Sequence, residues 1–171
     1  FKDEWCLTDL RSVGKGNGIG EIKIVPSESY IDCAMYWYAK SFEIGGNPGN
    51  DQLVDLRGLD ALEDAGNLRI DDNLRLESLR GLEQLREVRG TLDVDNNISL
   101  RSLDGLANLD TVLSIEIRNN DILEDLEGAA GWRPPVDQLT GTLSLRNNPQ
   151  VLSLAPLSWV REVDFLEIEN M

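Results

Sequence analysis

The phrase Gly90-Thr91-Leu92-Asp93-Val94-Asp95-Asn96-Asn97 constrains this chain more than any other feature, because it keeps returning. Gly66 to Asn73, Leu113 to Asn120 and Gly141 to Asn148 follow it closely, and Asp164 to Met171 follows it with Met171 in the last place. Two weaker copies precede these: Ser41 to Asn47 fits the end of the phrase and Gly20 to Ile24 fits its start. Measured at the second apolar position, Ile24, Ile44, Ile70, Val94, Ile117, Leu145 and Ile168 follow one another at steps of 20, 26, 24, 23, 28 and 23 residues. A recurring period of this size marks a solenoid, in which one repeat is one coil and neighbouring coils bury each other's apolar faces.

Within the phrase, Leu92 and Val94 flank Asp93, the alternation of a short strand buried on one face. After it, Leu100, Leu103, Leu106, Leu109 and Val112 stand three residues apart, and Leu76, Leu79, Leu82, Leu85 and Val88 repeat the pattern. A strict period of three drifts roughly 60° per step around an α-helix, so these residues predict short extended or 3₁₀-like pieces joined at corners. Stacked coils pair their strands in parallel about 4.8 Å apart, so six to seven coils predict a rod on the order of 30 Å long. The Asn that closes each phrase then forms a column, Asn47, Asn73, Asn97, Asn120 and Asn148, whose amides are expected to bond the corner backbone and one another. Gly58, Gly81 and Gly105 recur at one place in the coil, which predicts a tight corner that a Cβ would obstruct.

The outward columns of the predicted sheet read Lys23, Glu43, Arg69, Asp93, Glu116, Ser144, Glu167 and Val25, Gly45, Asp71, Asp95, Arg118, Arg146, Glu169. Opposite charges on adjacent coils support the stacking by a few tenths of a kcal/mol each. Asp71, Asp72, Asp93 and Asp95 crowd together, and such oxygen donors suit Ca²⁺, but the spacing of known calcium repeats is missing. The cluster therefore reads as a solvated acidic face relieved by Arg118, with no cofactor expected.

The chain carries 31 acidic against 16 basic residues, a net charge of -15 that repels nucleic acid and anionic membrane surfaces. It has no histidine, which removes histidine-based triads and histidine metal sites. No apolar run reaches the length of a membrane span, so direct membrane insertion is not expected. Gly14 to Gly20 is glycine-rich, but the strand-like Glu21-Ile22-Lys23-Ile24 follows it where a phosphate loop needs a helix. The triplet Asn97-Ile98-Ser99 matches a glycosylation acceptor, yet it puts its Asn in the inward column, so the match is read as accidental.

Residues 1–40 predict an N-terminal cap and first irregular coil, and residues 41–171 the continuous solenoid. Cys6 and Cys33 both fall in the cap, where they are read as a disulfide that ties it and implies export, or else as two separate buried thiols. Tyr36, Trp37 and Tyr38 either pack under the cap or offer a surface to a ligand. Gly128 to Gln138 lengthens one coil by about five residues, and insertions of this kind emerge as loops where binding often resides. Trp132 and Arg133 are accordingly expected to be an exposed, ligand-binding pair. The chain starts at Phe1 rather than Met, which suggests a processed product. It ends at Met171 directly after a strand, so further chain or another body is expected to cover that end.

Gly-x-Leu-x-Ile-x-x-Asn followed by Leu-x-x-Leu-x-Gly-Leu-x-x-Leu-x-x-Val resembles the receptor L domain, a leucine-rich right-handed β-helix. Gly66 to Val112 carries the resemblance most clearly, residues 113–171 well and residues 20–65 loosely. It implies an extracellular or cell-surface recognition module with a protein or carbohydrate ligand and no enzymatic activity. A structural spacer in a larger surface protein is the second expectation. A polysaccharide-active β-helix enzyme is the third, on analogy of fold alone.

Overall fold

The computed structural model describes residues 22–25, 41–45, 53–132 and 138–171. Eight strands form one sheet: β1 (Ile22–Val25), β2 (Ser41–Gly45), β3 (Asp64–Ala65), β4 (Asn67–Asp71), β5 (Glu87–Asp95), β6 (Thr111–Arg118), β7 (Gln138–Arg146) and β8 (Glu162–Glu169). The main path runs β1-β2-β4-β5-β6-β7-β8, with β3 beside β5. From β2 onward every pairing is parallel, and the repeats align as expected: Ile44, Ile70, Val94, Ile117, Leu145 and Ile168 are successive register partners. The chain is a parallel β-solenoid.

One part of the stack departs from the sequence expectation. β1 pairs with β2 antiparallel, Ile22 opposite Ile44 and Val25 opposite Ser41, so Ile22–Val25 is not a strand of the parallel stack. Only 20 residues separate Ile24 from Ile44, the shortest step of the series. Along the main path the described residues therefore contain six parallel strands and five windings between them, fewer than the six to seven coils expected. Cys6, Cys33, Tyr36, Trp37, Tyr38, Asn47 and Arg133 lie outside the described residues.

The period of three has a direct cause. The amide of Leu100 donates to the Asn97 carbonyl at 2.9 Å, Leu106 to Leu103 at 2.8 Å and Leu109 to Leu106 at 3.0 Å. The preceding winding repeats this at Leu76, Leu82 and Leu85. Leu82, Leu85, Leu106 and Leu109 thus each close a three-residue turn onto the leucine before, which keeps the series buried along the axis, and Asp104–Leu106, Glu127–Ala129 and Ala155–Leu157 are short 3₁₀ turns. None of the described residues forms an α-helix. Leu100, Leu103, Leu106, Leu109 and Val112 are all fully buried, each contributing roughly 1.5–3 kcal/mol of hydrophobic stabilisation. The corner glycines let the windings close up: a Cβ on Gly81 would stand 2.1 Å from the Leu56 carbonyl oxygen, and one on Gly105 1.9 Å from that of Leu79.

The inward asparagines supply the remaining polar satisfaction. Asn73, Asn97, Asn120 and Asn148 are buried, and the Nδ2 groups of the last three donate to Ile70, Val94 and Ile117 oxygens in the preceding strand at 2.8–3.0 Å. Asn97 Oδ1 accepts from the Asn73 amide at 3.3 Å and from Asn73 Nδ2 at 3.0 Å. Asn73, Asn97 and Asn120 also donate Nδ2 to the Oδ1 of the next asparagine at 3.0, 3.5 and 3.2 Å, so these three side chains join the windings on either side.

Replacing Asn97 by Ala leaves the Ile70 carbonyl and the Asn73 amide without these partners in a dry interior, and is expected to cost roughly 3 kcal/mol or more. Asn108→Ala removes only an exposed bond to the Glu83 carbonyl and is expected to cost less than about 1 kcal/mol. Urea titration of both variants checks the difference, and equal midpoints would mean that the column does not hold the stack.

Candidate binding face

The side of the sheet that faces away from the core carries most of the ion pairs among the described residues. Strand alternation sends Glu43, Arg69, Asp93, Glu116, Ser144 and Glu167 outward in one column and Gly45, Asp71, Asp95, Arg118, Arg146 and Glu169 in the next. Arg118 holds three carboxylates: Asp93 at 2.9 Å, Asp95 at 3.5 Å and Glu116 at 3.0 Å. Arg69 reaches Asp71 at 3.1 Å and Asp93 at 3.6 Å, and Arg146 reaches Glu167 at 3.4 Å and Glu169 at 3.6 Å. Ser144 donates its hydroxyl to Glu167 at 2.9 Å. The relief of the acidic cluster by Arg118 is as expected, and Arg69 joins it. Seven carboxylates face three guanidiniums in these two columns, so the face is net acidic and fits cationic groups on a partner.

Beside these columns runs a second Asn/Asp column that the repeat contained but that the sequence reading left uninterpreted. Asp72, Asn96, Asn119, Asn147 and Asn170 all have φ between 51° and 56°, the left-handed region that Asn and Asp tolerate best. Asn96 donates to Asp72 at 2.6 Å, Asn119 to Asp95 at 2.7 Å, Asn147 to Asn119 at 2.7 Å and Asn170 to Asn147 at 2.8 Å. The seventh place of each of the five close copies is Asn or Asp, the signal from which this corner is readable.

The expectation of an exposed Trp132 is corrected. Trp132 is fully buried, and its Nε1 donates to the Leu106 carbonyl at 2.7 Å. Its backbone amide donates to Ala129, which makes it the next member of the series Leu123, Leu126, Ala129, Trp132. Ala129 stands where the winding below has Leu106, and the tryptophan occupies the place of Leu109, so a small residue beside a large one keeps the core filled. Trp159 packs against it with ring centroids 6.4 Å apart, and donates to the Ala129 carbonyl at 3.1 Å. The indoles are core, not ligand platform.

Asp71 is the most deeply buried charge on the face. It is 3% exposed, and its Oδ1 has no hydrogen-bond partner. Gly45, at φ 142°, lets β2 approach so closely that a Cβ there would lie 1.6 Å from the Asp71 carbonyl oxygen and 2.9 Å from Oδ1. Burial raises the Asp71 carboxyl above its ordinary 3.8; Arg69 opposes this, and Asp72, Glu43 and Asp93 add to it. Among the described residues no group of three or more His, Cys, Asp or Glu side chains is arranged to hold a metal ion.

In the unfolded chain Asp71 ionises near 3.8, and in the folded chain only at higher pH, so between those values the folded state holds a proton that the unfolded state lacks. Stability from this group falls as pH rises through that window and is restored below 3.8. Asp71→Asn is therefore expected to raise the thermal midpoint at pH 7 and to lose that advantage at pH 3. Midpoints of both proteins across this range check it, and a pH-independent loss in the variant would contradict the assignment. Comparison with protein-family models, with curated proteins and with solved structures finds no match to this chain; its fold is a parallel β-solenoid of the β-helix kind.

Proposed function

We propose that this chain is a non-enzymatic recognition or adhesion module, extracellular or cell-surface, that binds a protein or carbohydrate partner through the outward face of its sheet. The observation that carries the reading is the pair of outward columns, in which charges are held in register by neighbours on adjacent windings. Such a surface is rigid before binding, so little ordering entropy opposes association. Its excess of carboxylates favours partners that present lysine, arginine or amino-sugar cations. Proton-transfer chemistry has little to work with here, since the chain lacks histidine and most of the face's acids are engaged by arginine. The resemblance of the repeat to the receptor L domain supports the same setting.

The immobilised domain is to be probed with cell-surface protein extracts and glycan arrays, beside the variant Asp93→Lys/Glu116→Lys. Specific retention that falls about tenfold or more in the variant, and weakens with salt, is the expected result. Absence of specific retention by the unaltered domain would favour a spacer. Turnover of an acidic polysaccharide would replace recognition by catalysis.

A further inference from the structure

About half a winding along the chain from the outward sheet columns stands another column of charge, which neither the acidic face nor the core uses. In four windings a side-chain oxygen accepts from the backbone amide two residues on: Asp55 from Arg57 at 3.2 Å, Ser78 from Arg80 at 3.1 Å, Ser102 from Asp104 at 3.1 Å and Asp125 from Glu127 at 2.9 Å. Glycine follows each time, at Gly58, Gly81, Gly105 and Gly128. Arg57, Arg80, Asp104 and Glu127 are therefore equivalent residues of successive windings, stacked about 4.8 Å apart, and all four are exposed. Ala155 takes the same place in the next winding.

Read along the axis, this column is basic, basic, acidic, acidic. Arg57 is tied to Asp55 at 2.8 Å, but Arg80, Asp104 and Glu127 make no ion pair among the described residues. Such an order is its own complement. A two-fold axis at right angles to the stack, passing between the levels of Arg80 and Asp104, sets Arg80 of one copy against Asp104 of the other and Arg57 against Glu127, each pair twice. The neighbouring columns obey the same operation, since Glu77 and Arg101 are adjacent in one and Arg86 and Asp110 in another. Arg86 and Arg101 pair within the chain as well, with Asp110 at 3.7 Å and Glu124 at 2.9 Å, yet stay 58% and 60% exposed. The acids in between do not spoil the match, because Asp55, Asp60, Glu83 and Asp125 are turned back onto the amides of Arg57, Gly58, Gly81 and Glu127.

We propose that this column is a contact between two copies of the chain, which associate antiparallel about that two-fold axis. The net charge of -15 on each copy opposes association at long range. At about 0.15 M salt the screening length is about 8 Å, which removes most of that repulsion and leaves the pairs in contact. The dimer keeps the acidic sheet face of each copy free and so presents two of them, which raises avidity for any partner that carries more than one epitope.

Sedimentation equilibrium of the full 171-residue chain at about 0.15 M salt tests the proposal. The chain is expected to dimerise, and Arg80→Glu, which turns two attractive pairs into two repulsive ones, is expected to weaken the dimer about tenfold or more. Arg57→Glu/Arg80→Glu/Asp104→Arg/Glu127→Arg inverts the column at unchanged net charge, and is expected to dimerise as the parent does but not to pair with it. Thermal midpoints equal to the parent's show that each variant keeps its fold. A parent that stays monomeric up to about 1 mM, an Arg80→Glu chain that associates as the parent does, or an inverted column that remains monomeric each overturns the proposal. None of these outcomes bears on the sheet face, which the Asp93→Lys/Glu116→Lys variant probes separately.

Discussion

The structure depends on one problem: a coil of about 24 residues brings its corner backbone inside, where water cannot reach it. An asparagine at each corner solves this, because a single amide offers both donors and an acceptor. Asn120 gives its Nδ2 to the Val94 carbonyl in one direction and its backbone amide to Asn148 Oδ1 in the other. A winding is thus satisfied only when it has neighbours, so stability grows with stacking rather than residing in any one repeat. The parallel sheet follows from this, since only translation of one coil onto the next keeps identical groups in contact.

Two further constraints shape the coil between the corners. Three-residue turns keep the leucine series of a winding buried along the axis, and the glycine corners let successive windings approach to backbone contact. Within those limits the core exchanges volume between neighbours. Ala129 and Trp132 replace a pair of leucines, and the indole nitrogen that comes with the larger ring is absorbed by the Leu106 carbonyl, which already accepts from Leu109. A carbonyl has two lone pairs, so the additional donor is accommodated without breaking the ladder.

Most of the architecture was legible because a repeat states its own geometry. The eight-residue phrase gave the strands and their register, and the period of three excluded helices. Three features were not legible, each for a physical reason. The antiparallel pairing of β1 is not encoded by the alternation of apolar residues, which reads the same for either strand direction. The insertion Gly128 to Gln138 suggests a surface position for Trp132, although the series 123, 126, 129, 132 places it on the axis. The burial of Asp71 arises from Gly45 on another strand, a relation between windings that a single phrase does not contain.

The outward face shows what translation costs. Stacking identical repeats places identical outward residues about 4.8 Å apart, and two carboxylates at that spacing repel by roughly 1 kcal/mol even at the dielectric constant of water. A uniform acidic column would therefore oppose the stacking that the asparagines favour. The sequence avoids it by letting arginine enter at different windings: Arg69 beside Asp93 in one column, and Arg118 and Arg146 above Asp95 in the other. The core repeats nearly unchanged, whereas the face must vary from winding to winding to remain stable. Variation forced on a rigid scaffold produces a distinct pattern of charge at each level, and a surface with a distinct pattern is one that a partner can distinguish.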